Sequence, residues 1–191
     1  MNKRQPFLIL VSGLPCTGKT SLAKRIASRW CLPLIYKDII KDRLFDTLGW
    51  KDRDWSRRLS AASFELLFTF VESLLWAGHS CIAEANFAAG VAPRAQGLVD
   101  RYSCKAIEVQ CITEPQTLLA RFRQRAQAGR RHPGNRDDLY LEELNVLVAR
   151  GHPEPLLTGA PFLRVDTTYW DSSDEGTFAW IEQHVGAPAK P

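Results

Sequence analysis

The chain has 191 residues, 45% hydrophobic and 24% charged, the balance of a single soluble globular domain with a sizeable core. A formal net charge of +4, from 25 Lys and Arg against 21 acids, suits an anionic ligand but excludes a polybasic arm and does not call for nucleic acid. Five cysteines without a C-x-x-C pair point to reduced, mostly core thiols in a cytoplasmic protein, and four histidines without metal-ligand spacing predict no structural zinc.

In chain order, PFLILVS reads as a buried parallel strand stopped by Gly13. Its apolar run is far too short to span a bilayer and ends in a glycine loop rather than a cleavage site, so no membrane association is expected. KTSLAKRIASRW places Leu22, Ile26 and Trp30 on one helical face. LPLIY predicts a second strand, and KDIIKDRLFDTLG a short helix closed by Gly49. WSRRLSAASFELLFTFVESLLWAG predicts a long helix that Gly78 can end, with Leu59, Ala62, Phe64, Leu67, Phe70, Val71 and Leu74 among its apolar residues.

SCIAEANF predicts a third strand with a polar end, and PRAQGLVDRY a helix. KAIEVQCI predicts a fourth strand, followed by the Arg-rich helix EPQTLLARFRQRAQAG, which Pro115 opens. RRHPGNRD is a loop by composition. DLYLEELNVLVARG predicts a helix, FLRVDTT a fifth strand and TFAWIEQHV a last helix. This alternation predicts one α/β domain over residues 1–191, a five-stranded parallel sheet with helices on both faces. In such sheets ligands bind beyond the carboxyl ends of the strands.

Between the first strand and the first helix, residues 13–20 read GLPCTGKT, a match to G-x-x-x-x-G-K-T at Gly13, Gly18, Lys19 and Thr20. Such a loop wraps backbone N–H groups around phosphate oxygens, and the helix that follows adds its positive dipole end. Leu14, Pro15, Cys16 and Thr17 complete the loop and Ser21 follows it. Lys19 supplies a point charge to the β- and γ-phosphates, and Thr20 a hydroxyl to Mg²⁺. The expected cofactors are ATP and Mg²⁺, in a P-loop NTPase fold. Cys16 either faces the nucleotide or fills the loop inertly.

No N-K-x-D motif marks a GTPase. The third strand ends in AEAN rather than Asp-Glu, and the chain is too short for the helical domain of an AAA+ motor. What is left is a small phosphotransferase. The segments LILVSGLPCTGKTSLAKRIA and RFRQRAQAGRRHPGN, with an Asp after the second strand, resemble the small P-loop kinase group. That group includes 5′-hydroxyl polynucleotide kinases, zeta-toxin-like kinases and chloramphenicol-, gluconate- and shikimate-type kinases. The nearest likeness is to the AAA-domain predicted kinases of bacteria.

The resemblance implies that Asp38 acts as the base on an acceptor hydroxyl, unless it caps the helix that follows. Polynucleotide kinases carry an Arg three residues after that Asp, where this chain has Lys41. Lys lacks the fork that Arg offers a phosphate, so a small acceptor is favoured over a polynucleotide. Glu84 either holds Mg²⁺ through water or is a solvated strand-end acid. Asn86 and Arg94 either contact substrate or serve a turn and the surface.

The resemblance also implies a lid at about 125–138 that brings Arg121, Arg125, Arg130 or Arg131 to the ATP phosphates, Arg125 first among them. His132, Pro133 and Gly134 would form its hinge. Asp166 and Thr167 either meet adenine or ribose, or form a turn. Trp50 and Trp55, around the charged stretch KDRD, are expected at an acceptor pocket. The resulting expectation is transfer of the ATP γ-phosphoryl group to a hydroxyl of a small acceptor. A polynucleotide 5′-hydroxyl kinase and a slow ATP-hydrolysing switch are the alternatives.

Overall fold

The computed structural model describes residues 5–129, 131–135, 137–169 and 174–188. The strand Phe7–Gly13 (β1) is buried from Leu8 onward, because helices cover both faces of the sheet and successive side chains point to opposite faces. Leu8 and Leu10 enter one core layer with Leu67, Phe68, Val71 and Leu75. Ile9 and Val11 enter the other with Leu22, Ile26, Trp30 and Ile181. The run reads as continuously apolar for this reason.

Four further strands follow: Leu34–Tyr36 (β2), Cys81–Glu84 (β3), Lys105–Ile112 (β4) and Phe162–Asp166 (β5). They form one parallel sheet in the order β2-β3-β1-β4-β5. The helices are Lys19–Trp30 (α1), Lys37–Leu48 (α2), Arg53–Trp76 (α3), Ala92–Tyr102 (α4), Pro115–Gln127 (α5), Asp137–Ala149 (α6) and Glu175–Val185 (α7). Since every strand runs the same way, Gly13, Tyr36, Glu84, Ile112 and Asp166 end on one edge. At and beyond that edge stand Lys19 and Thr20 at the start of α1, Asp38 at the start of α2, Glu84 at the end of β3 and Asn86 after it.

The long helix α3 has the length and apolar composition of a membrane span. Its buried residues, Ser56, Leu59, Ser63, Leu67, Phe68, Val71 and Leu75, recur at helical spacing against the sheet, as in a core helix. Phe70, expected among its apolar residues, is 50% exposed, whereas the polar Ser63 is buried. The Ser63 hydroxyl donates to the Leu59 carbonyl at 2.6 Å, which satisfies it inside the core. All five cysteines are free thiols. Burial pushes Cys81 and Cys111 up to about 12, so they pack as small apolar side chains.

A β-carbon at Gly13 would lie 2.5 Å from the Cys111 carbonyl oxygen and 2.6 Å from Thr17 Oγ1, and its φ of +143° is one that other residues rarely adopt. Gly13→Ala must therefore push the loop away from β4. We expect it to cost about 2 kcal/mol or more of stability, with weakened nucleotide binding. Denaturant unfolding of parent and variant checks it, and an unchanged midpoint would mean the loop has slack.

Candidate active site

Two residues of the 13–20 loop adopt left-handed backbone, Cys16 at φ 68° and Gly18 at φ 76°. Gly18 is the residue from which α1 starts. Within the loop the Thr17 hydroxyl donates to the Leu14 carbonyl at 2.8 Å, and Leu14 packs on Leu118, Phe122 and Leu144 of α5 and α6. The Thr167 hydroxyl lies 2.8 Å from the Thr17 carbonyl and 2.6 Å from the Thr113 hydroxyl. Thr167 is thus buried as a brace for the loop, and Asp166 accepts from the Thr168 amide at 2.8 Å. Asp166 ends β5 and Thr167 follows it.

Lys19 and Thr20 open α1 beside the end of β3. The Thr20 hydroxyl donates to Glu84 Oε2 at 2.7 Å, and Lys19 Nζ stands 3.8 Å from Glu84 Oε1. Glu84 is buried rather than a solvated strand-end acid. Burial pushes its carboxyl up, against the pull of Lys19 and the Thr20 hydrogen bond. A buried carboxylate and a hydroxyl side by side are hard oxygen donors of the kind Mg²⁺ takes. With the Gly13 cradle, they fit a magnesium nucleotide. Ser21 is exposed on the first turn of α1.

Next to the loop is a cleft of about 220 Å³. It is lined by Pro15, Lys19 and Asn86, by Lys37, Asp38 and Lys41 of α2, and by Arg53, Arg57 and Ser60 of α3. Arg125, Arg131, Asn135, Tyr140 and Glu143 complete the lining. Asp38 does not cap α2, since Tyr36 holds that position. Its Oδ2 instead accepts from Arg131 Nη2 at 3.3 Å. Burial would raise the Asp38 carboxyl, but Arg131, Lys19, Lys37 and Lys41 outweigh it and hold it below its ordinary range.

Lys41 is 6% exposed and donates to the Ser56 hydroxyl at 3.0 Å. Burial first, then the charges of Lys37 and Arg131, bring its ammonium down to about 7. Lys37, 5% exposed, is lowered in the same way by burial.

His132, Pro133 and Gly134, expected as the lid hinge, and Asn135 after them pack on α2. His132 stacks on Phe45 with ring centroids 4.9 Å apart. A β-carbon at Gly134 would meet Phe45 at 2.7 Å. Buried Asn135 donates to Asp42 at 3.1 Å and accepts from Arg131 at 3.1 Å. Trp50 packs on His132, and Trp55 donates to the Gly49 carbonyl, so neither lines the cleft.

Of the arginines expected on a lid, Arg125 and Arg131 reach the cleft. Arg121 does not; it donates to the Thr167 and Thr168 carbonyls at 2.8 and 3.0 Å. Arg130 lies outside the described residues. Arg94 is taken up by Glu72 at 3.1 Å on the far side of α4. The sequence reading passed over Lys37, Arg53, Arg57 and Glu143. For Lys37, Arg53 and Arg57 the signal was the four-residue spacing of Lys37 with Lys41 and of Arg53 with Arg57, which sets each pair on one helical face; Glu143 has none.

Residues 8–150 match the family described as AAA domain. A candidate kinase of Chloroflexus aurantiacus J-10-fl is 38% identical over 95% of this chain and 99% of its own, with a TM-score of 0.87. Kti12 of Chaetomium thermophilum, solved with ADP-AlF3, is 20% identical over 97% of this chain and 100% of its own, at a TM-score of 0.64. A sugar kinase of Janibacter sp. HTCC2649 is 15% identical over 98% and 99%, at 0.62. These last two share the fold. No curated protein matches the chain.

Lys41 holds its proton to about pH 7 in the folded chain against 10.5 in its ordinary state. Between those values the unfolded chain binds more protons, so stability rises with pH, and the cost of the buried charge is fully present below about pH 7. Lys41→Met removes that cost. It should unfold at a higher temperature than the parent at about pH 6.5, and its advantage should shrink toward about pH 9.5 by at most ~1.4 kcal/mol per pH unit. Thermal unfolding at both pH values measures this; an equal gap would mean that Lys41 titrates normally.

Proposed function

The chain belongs to the AAA-domain family, on a P-loop kinase fold, and from that premise we propose that it is a kinase transferring the γ-phosphoryl group of Mg·ATP to a hydroxyl of a small acceptor. The observation that carries the reading is the meeting of Asp38 with Lys19 and two lid arginines around one cleft. A nucleotide-binding switch has no need of a carboxylate facing the transferred phosphate. The 38% identity to a candidate kinase over nearly the whole of both chains supports the same reading.

Mg·ATP supplies the phosphoryl group, and the protein positions it and balances its charge. Lys19 and the 13–18 loop bind the phosphates, while Thr20 and Glu84 hold the cation. Asp38, kept ionised by its cationic neighbours, accepts the hydrogen bond of the acceptor hydroxyl and aligns its oxygen with the γ-phosphorus. A lowered carboxyl makes a weak base. Its proton transfer suits a loose transition state in which the hydroxyl loses its proton late. Arg125 and Arg131 offer guanidinium to the charge spreading over the transferred group. The size of the cleft, about 220 Å³, favours a small acceptor over a polynucleotide.

Lys19→Ala should weaken Mg·ATP binding or abolish turnover, read by calorimetric titration and ADP release. Asp38→Asn should keep ATP affinity and lose at least about 10²-fold in acceptor-stimulated ADP production. If Asp38→Asn turns over at the parent rate, the carboxylate serves α2 alone. ADP production that no hydroxyl acceptor stimulates would favour the switch.

Arg125→Ala and Arg131→Ala should lower kcat more than they raise KM for ATP, by up to about 10³-fold. Arg121→Ala should act through stability, since it braces the Thr167 turn. Steady-state kinetics with a matched melting curve separate the two kinds. A fall of less than about threefold in kcat for both cleft arginines would remove them from the transfer step.

A further inference from the structure

The cleft holds more positive charge than a nucleotide site and a neutral acceptor require. Seven cationic side chains line it against two carboxylates, Asp38 and Glu143. Both carboxylates are engaged: Asp38 with Arg131, Glu143 with Arg53 and Arg57. Lys41, in contrast, is buried with its ammonium on a neutral hydroxyl, Ser56. The buried Lys37 shares Asp38 at 4.0 Å. Burying such charge is costly unless an opposite charge arrives.

The ATP phosphates are poorly placed to supply it all. They belong on the loop after β1, at Lys19, whose charge reaches Lys37; Lys41, one turn further along α2, faces Lys37, Arg131, Asp38 and Arg53 instead. Lys37 and Lys41 stand four apart on α2, Arg53 and Arg57 four apart on α3, and both pairs line the same cleft. Arg53 also begins α3, so the positive end of that helix points the same way.

We propose that the acceptor carries an oxyanion substituent, a phosphate, sulfate or carboxylate, which binds between α2 and α3 at Lys37, Lys41, Arg53 and Arg57 while its hydroxyl rests on Asp38. This rests on the kinase reading for the role of the bound molecule, though the anion pocket can be tested apart from it. The anion supplies the opposite charge that Lys41 lacks and that Lys37 shares with Arg131 at Asp38. The guanidinium of Arg53, fixed on Glu143 and over the Tyr140 ring at 5.0 Å, gives the pocket a rigid wall. Anchoring at one end leaves the hydroxyl at the other to reach the γ-phosphorus.

The test is sulfate titration with the nucleotide site filled by Mg·ADP, followed by thermal shift and tryptophan fluorescence. Sulfate stays a dianion across the working pH, so its own titration does not intrude. The parent should bind sulfate under these conditions. Lys41→Met and Arg57→Gln, the second at an exposed side chain tolerant of change, should each weaken sulfate at least tenfold with Mg·ADP affinity held. Equal sulfate affinity in parent and both variants would overturn the proposal.

A second arm compares hydroxyl acceptors in pairs, with and without a carboxylate or phosphate, by ADP release. Preference for the charged member supports the proposal, and which anion is preferred identifies the substituent. Faster turnover of the neutral members would overturn it and leave the kinase reading standing. Failure of Mg·ADP to bind would strike the kinase reading instead, while sulfate binding by the parent and its loss in the variants would still support the pocket.

Discussion

The close approach of β1 to β4 at Gly13 is the contact on which the nucleotide loop depends. The Cys111 carbonyl occupies the space where a side chain would begin, and the chain has to turn there. From that turn Thr17 folds back on Leu14, and the next residues enter α1 with Lys19 and Thr20 facing Glu84. Thr167 clasps the loop from the other side through the Thr17 carbonyl. A loop that must gather phosphate oxygens on backbone amides is held rigid before any phosphate arrives, so little ordering is left for the moment of binding.

Charge is the second organising element. Asp38 faces several cations, which lower its carboxyl despite burial. The same carboxylate limits how far those cations repel one another. Arg131 connects Asp38 to Asn135, and Asn135 reaches Asp42 on α2. The side chain that would orient the acceptor is therefore part of the network that seats residues 131–135. Stacking of His132 on Phe45 and the tight fit of Gly134 make this seat apolar as well as polar.

The loop, the five strands and the helices between them were readable in the sequence because their signals are local. Gly13, Gly18, Lys19 and Thr20 sit within eight consecutive residues, and apolar runs and helical spacing need no knowledge of distant partners. The wall of the cleft was not readable. Arg53 meets Glu143 across 90 residues of chain, and on paper both look like solvated helix charges. Glu108 was equally hidden. It lies in the middle of an apolar strand and is buried, accepting the Leu156 and Leu157 amides. Only the packed loop explains a carboxylate there. The packing of the HPGN stretch was hidden as well: glycine and proline suggest a hinge, and nothing local shows that the missing side chain of Gly134 also serves its close approach to Phe45.

The brace from Thr167 to Thr17 spans 150 residues, and β1 takes its partners β3 and β4 from far downstream. Contacts of such long range close late in folding, since the entropy of the intervening loop has to be overcome first. A nascent chain exposes the GLPCTGKT loop almost at once, yet it lacks the carbonyl of Cys111 and the hydroxyl of Thr167 until most of the polypeptide has left the ribosome. Competence to grip a nucleotide is thus gained near the end of folding, and a chain broken before β5 is deprived of it even though the motif itself is intact.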